Sequence, residues 1–439
     1  RRQRQMCIRD RPEMAKRFRF IHCADLHLGT PLAIREAPSR YWEKTLRDAT
    51  FQAFRNIVDT AIEKRVAAIV IAGDVYNSAD HSLPAQLEFS RELFRAANAG
   101  ISTFIAHGNH DPVSAWQAQV PLPPTAHVFS ADKVEGLPLV VENETAAMIY
   151  GRSYATMHTD GRWASDYVRG ESDPYAIAVM HTQGPKAASD GPYAPLSWDE
   201  IRQSGIDYWA LGHVHTREVL SEDPYVVYPG NAQSLTAAET GPRGCYLVEV
   251  GSHGTTMLEF IATDAIRSET WEFSVTDLTD VEMFIKAVLA KRQERRQEVG
   301  KPLLVTLVVS GRGALHQVFS DPAARQSILA RLNEEEEMKH IFVYCRALLD
   351  QTTAAVDWQA RREIPDATGD YLRAVDRLLA MSPEERHYAL RQAVAARPEW
   401  ERYARYFGEL SDERLETALR RAEIAGAQRI LGDNGDEAD

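Results

Sequence analysis

Cysteine is scarce in this sequence, and long apolar runs are absent. The 439 residues include four cysteines, which are scattered and form no CxxC pair. This spacing argues against a disulfide scaffold and against a thiolate zinc site. No apolar run reaches the roughly 18 residues that a membrane span needs, and no signal-peptide core follows the arginine-rich start. We therefore expect no membrane association and a reducing, cytoplasmic location.

An excess of basic charge is also missing. The chain has 50 Lys and Arg residues against 63 Asp and Glu residues, which gives a formal net charge of −13. A protein that binds nucleic acid mainly through charge is usually basic. A nucleic-acid substrate would therefore require a local basic surface or bound metal cations. The charge balance neither supports nor excludes such a substrate.

Apolar runs and amphipathic segments alternate in the first part of the chain. Short apolar runs typical of buried strands lie at 18–23, 66–72 and 101–106, and helical spacing is found at 42–64 and 84–98. This order is typical of βαβ units in an α/β domain. We expect five segments: a disordered extension (1–13), a domain with the candidate site (14–261), a small α+β domain (262–365), a helical region (366–431) and a disordered acidic tail (432–439).

Polar side chains with metal-binding chemistry follow the predicted strands. These are Asp25-x-His27, Gly73-Asp74, Gly108-Asn109-His110-Asp111, His181 and Gly212-His213-x-His215. Ligand sites in open α/β sheets lie at the carboxyl ends of strands, so these groups can converge although they are distant in sequence. Imidazole, carboxylate and amide oxygen without thiolate suit Mn²⁺, Fe or Zn²⁺. One catalytic zinc uses three protein ligands, and the candidates here exceed that number. They therefore indicate two divalent ions, with Mn²⁺ preferred over Fe or Zn²⁺.

The order DxHLG, GD, GNHD, H and GHVH resembles the calcineurin-like metallophosphoesterases. Within that family, DLHLG (25–29), YPGN (228–231) and GCYLVE (244–249) are similar to the DNA-repair exonuclease branch, which includes the Mre11 and SbcD nucleases and the YhaO-type proteins. The motifs cover about residues 18–260. The resemblance implies two facing mixed β-sheets flanked by helices, with 262–365 as a capping domain.

The resemblance also implies a role for each motif residue. Seven residues would bind metal: Asp25, His27 and His215 the first ion, Asn109, His181 and His213 the second, and Asp74 both. Two such cations lower the pKa of a water and give hydroxide near neutral pH, which attacks phosphorus in line with the leaving oxygen. The resemblance also implies that His110 lies near the scissile phosphate without being a ligand. From its chemistry we expect His110 to act as a catalytic residue that protonates the leaving group, with Asp111 either as its orienting partner or as an exposed loop residue.

The sequence departs from the exonuclease branch after Asp74. That branch commonly has an aromatic residue and then a histidine that handles the DNA end, whereas Tyr76 and Asn77 stand here. Asn77 can form a hydrogen bond with a phosphate but cannot act as an acid. The departure weakens the case for exonuclease activity more than the case for phosphoester chemistry. We take Tyr76 and Asn77 as candidate substrate-binding residues.

The function expected from these residues is that of an Mre11/SbcD-like nuclease subunit acting on DNA in repair. One alternative is a phosphodiesterase for a small molecule such as a cyclic nucleotide, and another is a catalytically weak DNA-binding scaffold of an ATPase complex. The resemblance implies a Rad50/SbcC-like coiled-coil ATPase as partner. Leu87, Leu93 and Phe94 in the predicted helix at 84–98 offer a homodimer contact, for which packing on the sheet is the alternative and preferred explanation.

Overall fold

The computed structural model describes residues 16–32, 40–77, 82–115, 120–159, 163–186, 193–336, 338–354, 357–395 and 411–433. Within these residues the chain divides into two compact units. The first lies within Arg1–Phe273, Ile285–Val308 and Gln326–Leu349, and the second within Ser274–Phe284, Val309–Arg325 and Asp350–Asp439. The predicted extension at 1–13 and residues 434–439 of the predicted tail lie outside the described residues. The predicted domain boundaries stay predictions.

The secondary-structure elements are numbered in chain order. The strands are β1 (Phe18–Cys23), β2 (Ala68–Ala72), β3 (Ser102–Ala106), β4 (Ala126–Val128), β5 (Glu135–Val141), β6 (Glu144–Gly151), β7 (Ala176–His181), β8 (Tyr208–Gly212), β9 (Glu218–Glu222), β10 (Tyr225–Tyr228), β11 (Gly244–Val250), β12 (Thr256–Ala262), β13 (Arg267–Ser274), β14 (Leu303–Gly313) and β15 (Val343–Ala354). The helices are α1 (Arg40–Arg47), α2 (Ala49–Glu63), α3 (Leu83–Asn98), α4 (Trp198–Ser204), α5 (Val281–Val299), α6 (His316–Ser320), α7 (Pro322–Asn333), α8 (Trp358–Arg362), α9 (Ala367–Ala380), α10 (Pro383–Ala395) and α11 (Asp412–Asp433).

The first unit contains two six-stranded sheets. The first sheet has the order β12-β11-β1-β2-β3-β4, in which β1 to β4 are parallel and β11 and β12 pair antiparallel. The second has the order β5-β6-β7-β8-β10-β9, with parallel pairs from β6 to β10 and an antiparallel pair at each edge. Strands β2, β7 and β8 are buried along their whole length, which explains why their sequences are continuous apolar runs.

The two sheets face each other across one apolar core. Phe20 and Val70 of the first sheet belong to the same buried cluster as Ile177 and Tyr208 of the second. The other face of the first sheet packs against α2 and α3 in a separate cluster. This architecture confirms the predicted fold class, an α/β double sheet flanked by helices.

His22 adds a polar contact between the sheets inside this core. Its Nε2–H donates to the carbonyl of Leu211 (3.2 Å), and its Nδ1 accepts a hydrogen bond from the Tyr208 hydroxyl (3.0 Å). Burial lowers the pKa of His22 to about 3, so the imidazole is neutral. The side chain therefore ties β1 to the end of β8, close to the predicted GHVH motif.

The helices begin where the sequence provides caps. The predicted N-cap Ser197 accepts from the N–H of Glu200 (3.3 Å), and the Glu200 carboxylate accepts from the N–H of Ser197 (2.8 Å), which confirms the prediction. The single helix predicted at 42–64 is wrong, because the segment forms α1 and α2. The two are separated at Asp48, whose φ of −88° and ψ of 2° lie outside the helical region.

Helix α3 has a divided apolar surface. Leu93 is fully buried, whereas Leu87 and Phe94 are 52% and 40% exposed. The predicted stripe of Leu87, Leu93 and Phe94 therefore does not pack on the sheet as a whole. Two large apolar side chains of α3 remain on the surface of this chain.

The second unit is mostly helical. Trp358, Leu372 and Ala427 form a buried cluster, and Arg362 of α8 pairs with Asp376 of α9 at 2.8 Å. The predicted helical C-terminal region is thereby confirmed. Strands β13, β14 and β15 form a three-stranded sheet in that order, mostly from residues of the first unit. Among the described residues, no helix combines the length and the apolar character that crossing a lipid bilayer requires.

Candidate metal centre

Five predicted site residues lie where strands of both sheets end. Asp25 follows β1, Asp74 follows β2 and Asn109 lies beyond β3, while His181 ends β7 and His213 follows β8. All of these side chains except that of His213 are buried. The strands that carry them are parallel within each sheet, so their carboxyl ends meet at one edge of the double sheet.

The turns that carry these residues have unusual backbone conformations. Asp25, His27, Asp74 and His213 have positive φ angles of 52°, 42°, 54° and 97°. Such a conformation costs of order 1–3 kcal/mol for a residue other than glycine, so surrounding contacts must maintain it. One of these contacts joins the sheets, since the Asp25 carboxylate accepts from the N–H of His213 at 3.0 Å. Strain of this kind is concentrated at functional sites.

Glycines allow the two sheets to approach each other here. A Cβ atom at Gly212 would lie 1.8 Å from the carbonyl oxygen of Ala72, and one at Gly73 would lie 2.2 Å from Nδ1 of His181. Only glycine fits at either position. The close approach brings donors from the first sheet next to donors from the second.

Two adjacent groups of donor atoms can each hold a metal ion. Asp25, His27 and His215 offer atoms within 4.8 Å of one another, and so do Asp25, Asp74 and His181. Asp25 therefore belongs to both groups. Oδ2 of Asp74 lies between the groups as well, 3.3 Å from Nε2 of His181 and 3.9 Å from Nε2 of His27.

Asn109 and His213 lie beside the second of these groups. Oδ1 of Asn109 is 2.9 Å from Nε2 of His181 and 3.1 Å from Nδ1 of His213. The ring of Tyr193 stacks on the imidazole of His213, with ring centroids 4.7 Å apart. The structure thus brings all seven predicted metal ligands together. Their roles as ligands stay a prediction.

The imidazole tautomers indicate that the donors fit a cation. Oxygen atoms accept the Nδ1–H of three rings: Oδ1 of Asn77 for His27 (3.1 Å), the Ala72 carbonyl for His181 (2.9 Å) and Oε1 of Glu239 for His215 (2.8 Å). A neutral imidazole with its proton on Nδ1 has a lone pair on Nε2. Nε2 of His27 and Nε2 of His215 face each other at 3.2 Å, which is repulsive unless a proton or a metal cation lies between them. Nitrogen and carboxylate donors of this kind suit a divalent transition metal.

Burial and neighbouring charges shift the pKa values of the site. Burial alone would lower the pKa of His181, but Asp74 and Asp25 raise it to about 9. Burial and the charge of His181 lower the pKa of His213 to about 4. A proton on His181 therefore balances the buried carboxylates. A divalent cation would displace this proton, which couples metal binding to pH.

The predicted catalytic residue His110 lies beside the donor groups. Its backbone N–H donates to Oδ1 of Asp74 (2.9 Å), and its ring meets the ring of His27 edge-on, with centroids 5.1 Å apart. His110 is exposed, unlike the predicted ligands around it. Its imidazole is therefore accessible to a substrate while its backbone is fixed.

Asp111 is buried and contacts different groups from those predicted. Its oxygens accept from the N–H groups of Gly108 (2.7 Å) and Val75 (2.9 Å) and from Nδ1 of His107 (2.9 Å). The carboxylate thus orients His107 and the loop. The sequence had instead predicted that it orients His110. The difference arises because the loop at 108–111 turns the Asp111 carboxylate inward. A catalytic role of Asp111 stays a prediction.

Tyr76 and Asn77 both contact protein groups. The ring of Tyr76 meets Phe89 of α3 edge-on, with centroids 5.5 Å apart. Asn77 accepts from His27 through Oδ1, and its Nδ2 donates to Oγ1 of Thr30 (2.8 Å). Asn77 therefore orients a predicted ligand. Substrate binding by these two residues stays a prediction.

Glu239 is a site residue that the sequence did not reveal. It lies in the segment between β10 and β11, and its carboxylate accepts from His215. The surrounding Thr-Ala-Ala-Glu-Thr has no pattern that marks a functional residue. Its only sequence signal is its position shortly after the YPGN motif at 228–231.

Comparison with known proteins agrees with this geometry. The sequence pattern of the calcineurin-like phosphoesterase family matches residues 18–217. The metallophosphoesterase YhaO of Bacillus subtilis is 33% identical over 339 residues, which cover 76% of this chain and 81% of that protein. The chain belongs to the calcineurin-like phosphoesterase family. The resemblance derived from the motifs is thereby confirmed, and membership implies a phosphoester hydrolase.

More distant relatives have been named for DNA repair. The DNA double-strand break repair protein Mre11 of Halobacterium salinarum is 27% identical over 332 residues, which cover 73% of this chain and 78% of that protein.

Among solved structures, a dimetal phosphatase from Danio rerio aligns with a TM-score of 0.32 and 10% identity. That alignment covers 56% of this chain and 99% of the phosphatase.

Proposed function

We propose that this chain is a dinuclear metal phosphodiesterase that acts on DNA, as a nuclease subunit in DNA repair. The observation that carries the proposal is the pair of adjacent donor groups, which share Asp25 and have Asp74 between them. These donors would hold two divalent ions, which would supply Lewis-acid and water-activating chemistry at this site. Mn²⁺ is the ion we propose, with Fe and Zn²⁺ as alternatives. The similarity to the DNA double-strand break repair protein Mre11 supports DNA as the substrate.

The chain's own residues supply orientation and a proton donor. When bound, the ions lower the pKa of a water molecule and offset negative charge on the phosphoryl oxygens. His110 can donate a hydrogen bond to a phosphoryl oxygen or a proton to the leaving oxygen, because its imidazole is exposed beside the donor groups. Asp111 maintains the loop that carries His110 through its bonds to Gly108 and Val75.

Three further proposals concern the assembly and its location. A Rad50/SbcC-like coiled-coil ATPase is proposed as partner on the basis of the family resemblance. The exposed side chains of Leu87 and Phe94 on α3 support a homodimer. The described cysteines are free and buried, as expected in a reducing compartment, and we propose a cytoplasmic location.

A substrate panel with Mn²⁺ tests the proposed activity. The full chain is incubated with single-stranded DNA, duplexes with different ends and cyclic nucleotides, and products are quantified. We expect DNA hydrolysis that falls by roughly 100-fold or more in Asp74→Asn and in His110→Ala, with unchanged circular dichroism. Turnover of cyclic nucleotides alone would replace DNA with a small substrate. Bound metal without any turnover would indicate a scaffold, and near-wild-type turnover in either variant would refute the site.

A further inference from the structure

Three imidazoles of the centre donate Nδ1–H to an oxygen, and these oxygens differ in charge. His27 faces the amide oxygen of Asn77, and His181 faces a backbone carbonyl. His215 faces a carboxylate, Oε1 of Glu239, at 2.8 Å. Of these three Nδ1–H groups, only that of His215 donates to a charged acceptor. The two imidazoles of the first donor group, His27 and His215, are therefore not equivalent.

The Glu239 carboxylate is itself fixed by its second oxygen. Oε2 accepts from the N–H of Leu235 (2.6 Å), the N–H of Thr236 (3.1 Å) and Nδ2 of Asn231 (3.1 Å). This leaves Oε1 directed at His215. Three donors therefore hold the Glu239 carboxylate in place before His215 binds a metal ion. Metal binding requires no further ordering of Glu239.

The segment that carries Glu239 has a second attachment to His215. The Arg243 guanidinium donates to the carbonyl oxygen of His215 and to Oδ1 of Asn231 (3.1 Å). The backbone of His215 is thus held without help from Glu239. Glu239 additionally orients the His215 ring and places a negative charge beside it.

We propose that Glu239 is a positioning residue that sets the metal affinity of the first donor group. It fixes the His215 ring with Nε2 directed at the ion, and its charge makes that nitrogen a stronger donor. The inference rests on the proposed metal-dependent function. Losing such a carboxylate typically weakens metal binding by about 10–100-fold. The effect is confined to the group that contains Asp25, His27 and His215.

Calorimetric titration of the metal-free full chain with Mn²⁺ tests this inference. We expect two binding events in the wild type. In Glu239→Gln, one event should weaken by about 10–100-fold while the other stays nearly unchanged. Glutamine can keep an acceptor for His215, but it loses the charge and places an NH₂ group against three donors. Unchanged affinity for both ions in this variant would overturn the inference.

Two matched control variants test whether a change in the loop or in the net charge, rather than the loss of Glu239, alters the Mn²⁺ affinity. Thr236→Ala changes an exposed side chain in the same segment and keeps the backbone N–H that binds Glu239. Glu249→Gln removes one negative charge from β11, where Glu249 pairs with Arg19. Both variants should bind Mn²⁺ like the wild type. A loss in Thr236→Ala equal to that in Glu239→Gln would overturn the inference in favour of loop stability.

A second variant covers the case in which Glu239→Gln does not fold. Asn77→Asp gives His27 the kind of charged acceptor that His215 already has, and it lies outside the segment of Glu239. We expect Mn²⁺ to bind the first group about 10-fold more tightly in this variant. Equal or weaker binding would overturn the inference. A wild type that binds no Mn²⁺, Fe or Zn²⁺ would overturn the proposed function. A wild type that binds two ions, with affinities that Glu239→Gln leaves unchanged, would overturn only the inference about Glu239.

Discussion

At the scale of single residues, His22 connects the two sheets just before the metal centre. Replacing its imidazole leaves the Leu211 carbonyl and the Tyr208 hydroxyl without these partners in a fully buried region. An unpaired buried polar group costs about 1–3 kcal/mol. We expect His22→Leu to lower the free energy of unfolding by about 2–5 kcal/mol and Tyr208→Phe to lower it by less. Urea unfolding measures both, and equal losses would contradict the prediction.

The same imidazole gives stability a defined pH dependence. Burial lowers the pKa of folded His22 from its ordinary value of 6.5 to about 3. Below pH 6.5 the unfolded chain takes up a proton that the folded chain refuses, so the contribution of His22 is present above that pH and is lost as pH falls toward 3. We expect the stability difference between wild type and His22→Leu to shrink between about pH 8 and about pH 5. A difference that is independent of pH would disprove this assignment.

At the scale of elements, the end of β8 lies against the end of β2 at Gly212. Because an added Cβ would lie 1.8 Å from the Ala72 carbonyl oxygen, Gly212→Ala must push the two strand ends apart. We expect a loss of about 1–3 kcal/mol in stability and weaker Mn²⁺ binding, since the donors come from opposite sheets. Gly100→Ala, where the methyl group meets nothing within 4 Å and only the positive φ of 79° is strained, should keep the Mn²⁺ affinity. Intact metal binding in Gly212→Ala would argue against the close approach of the strands.

Helix α5 is attached to β15 through the buried carboxylate of Glu336. This group accepts two hydrogen bonds from Arg296 (both 2.6 Å), one from Lys339 (2.8 Å) and one from the N–H of Val343 (2.8 Å). We expect Glu336→Gln to cost about 3–5 kcal/mol, because it leaves the buried Arg292 and the partly buried Arg296 without their counter-charge. Lys339→Ala should cost less than about 1 kcal/mol, since that side chain is 40% exposed. Thermal unfolding that ranks the two variants in the reverse order would contradict the prediction.

The sequence predicts the ligand set because each ligand follows a strand. Asp25, Asp74 and His181 come directly after or at the end of apolar runs, and parallel strands direct their ends to one edge of the sheet. The partner of Asp111 and the role of Glu239 are not encoded in this way. Both depend on how loops fold over the strand ends, which neither periodicity nor motif spacing determines. The same limit applies to α3, where helical spacing does not tell which apolar side chains meet the sheet.

At the scale of the whole molecule, the proposed homodimer can be tested on α3. Leu87 and Phe94 expose apolar surface that a second copy would cover. We expect the wild type to have the mass of a dimer in light scattering, and the double variant Leu87→Glu, Phe94→Glu to have the mass of a monomer. Met257→Glu, at a side chain that is 66% exposed elsewhere, serves as the control and should remain dimeric. A double variant that stays dimeric would exclude this surface.

The predicted ligands are divided between the two sheets. Asp25, His27, Asp74 and Asn109 follow strands of the first sheet, and His181, His213 and His215 belong to strand ends of the second. Neither half of the sandwich alone can complete both ion sites. Folding of both sheets is therefore a precondition for the proposed hydrolysis. If the proposed function holds, we expect a partly folded chain to leave DNA intact.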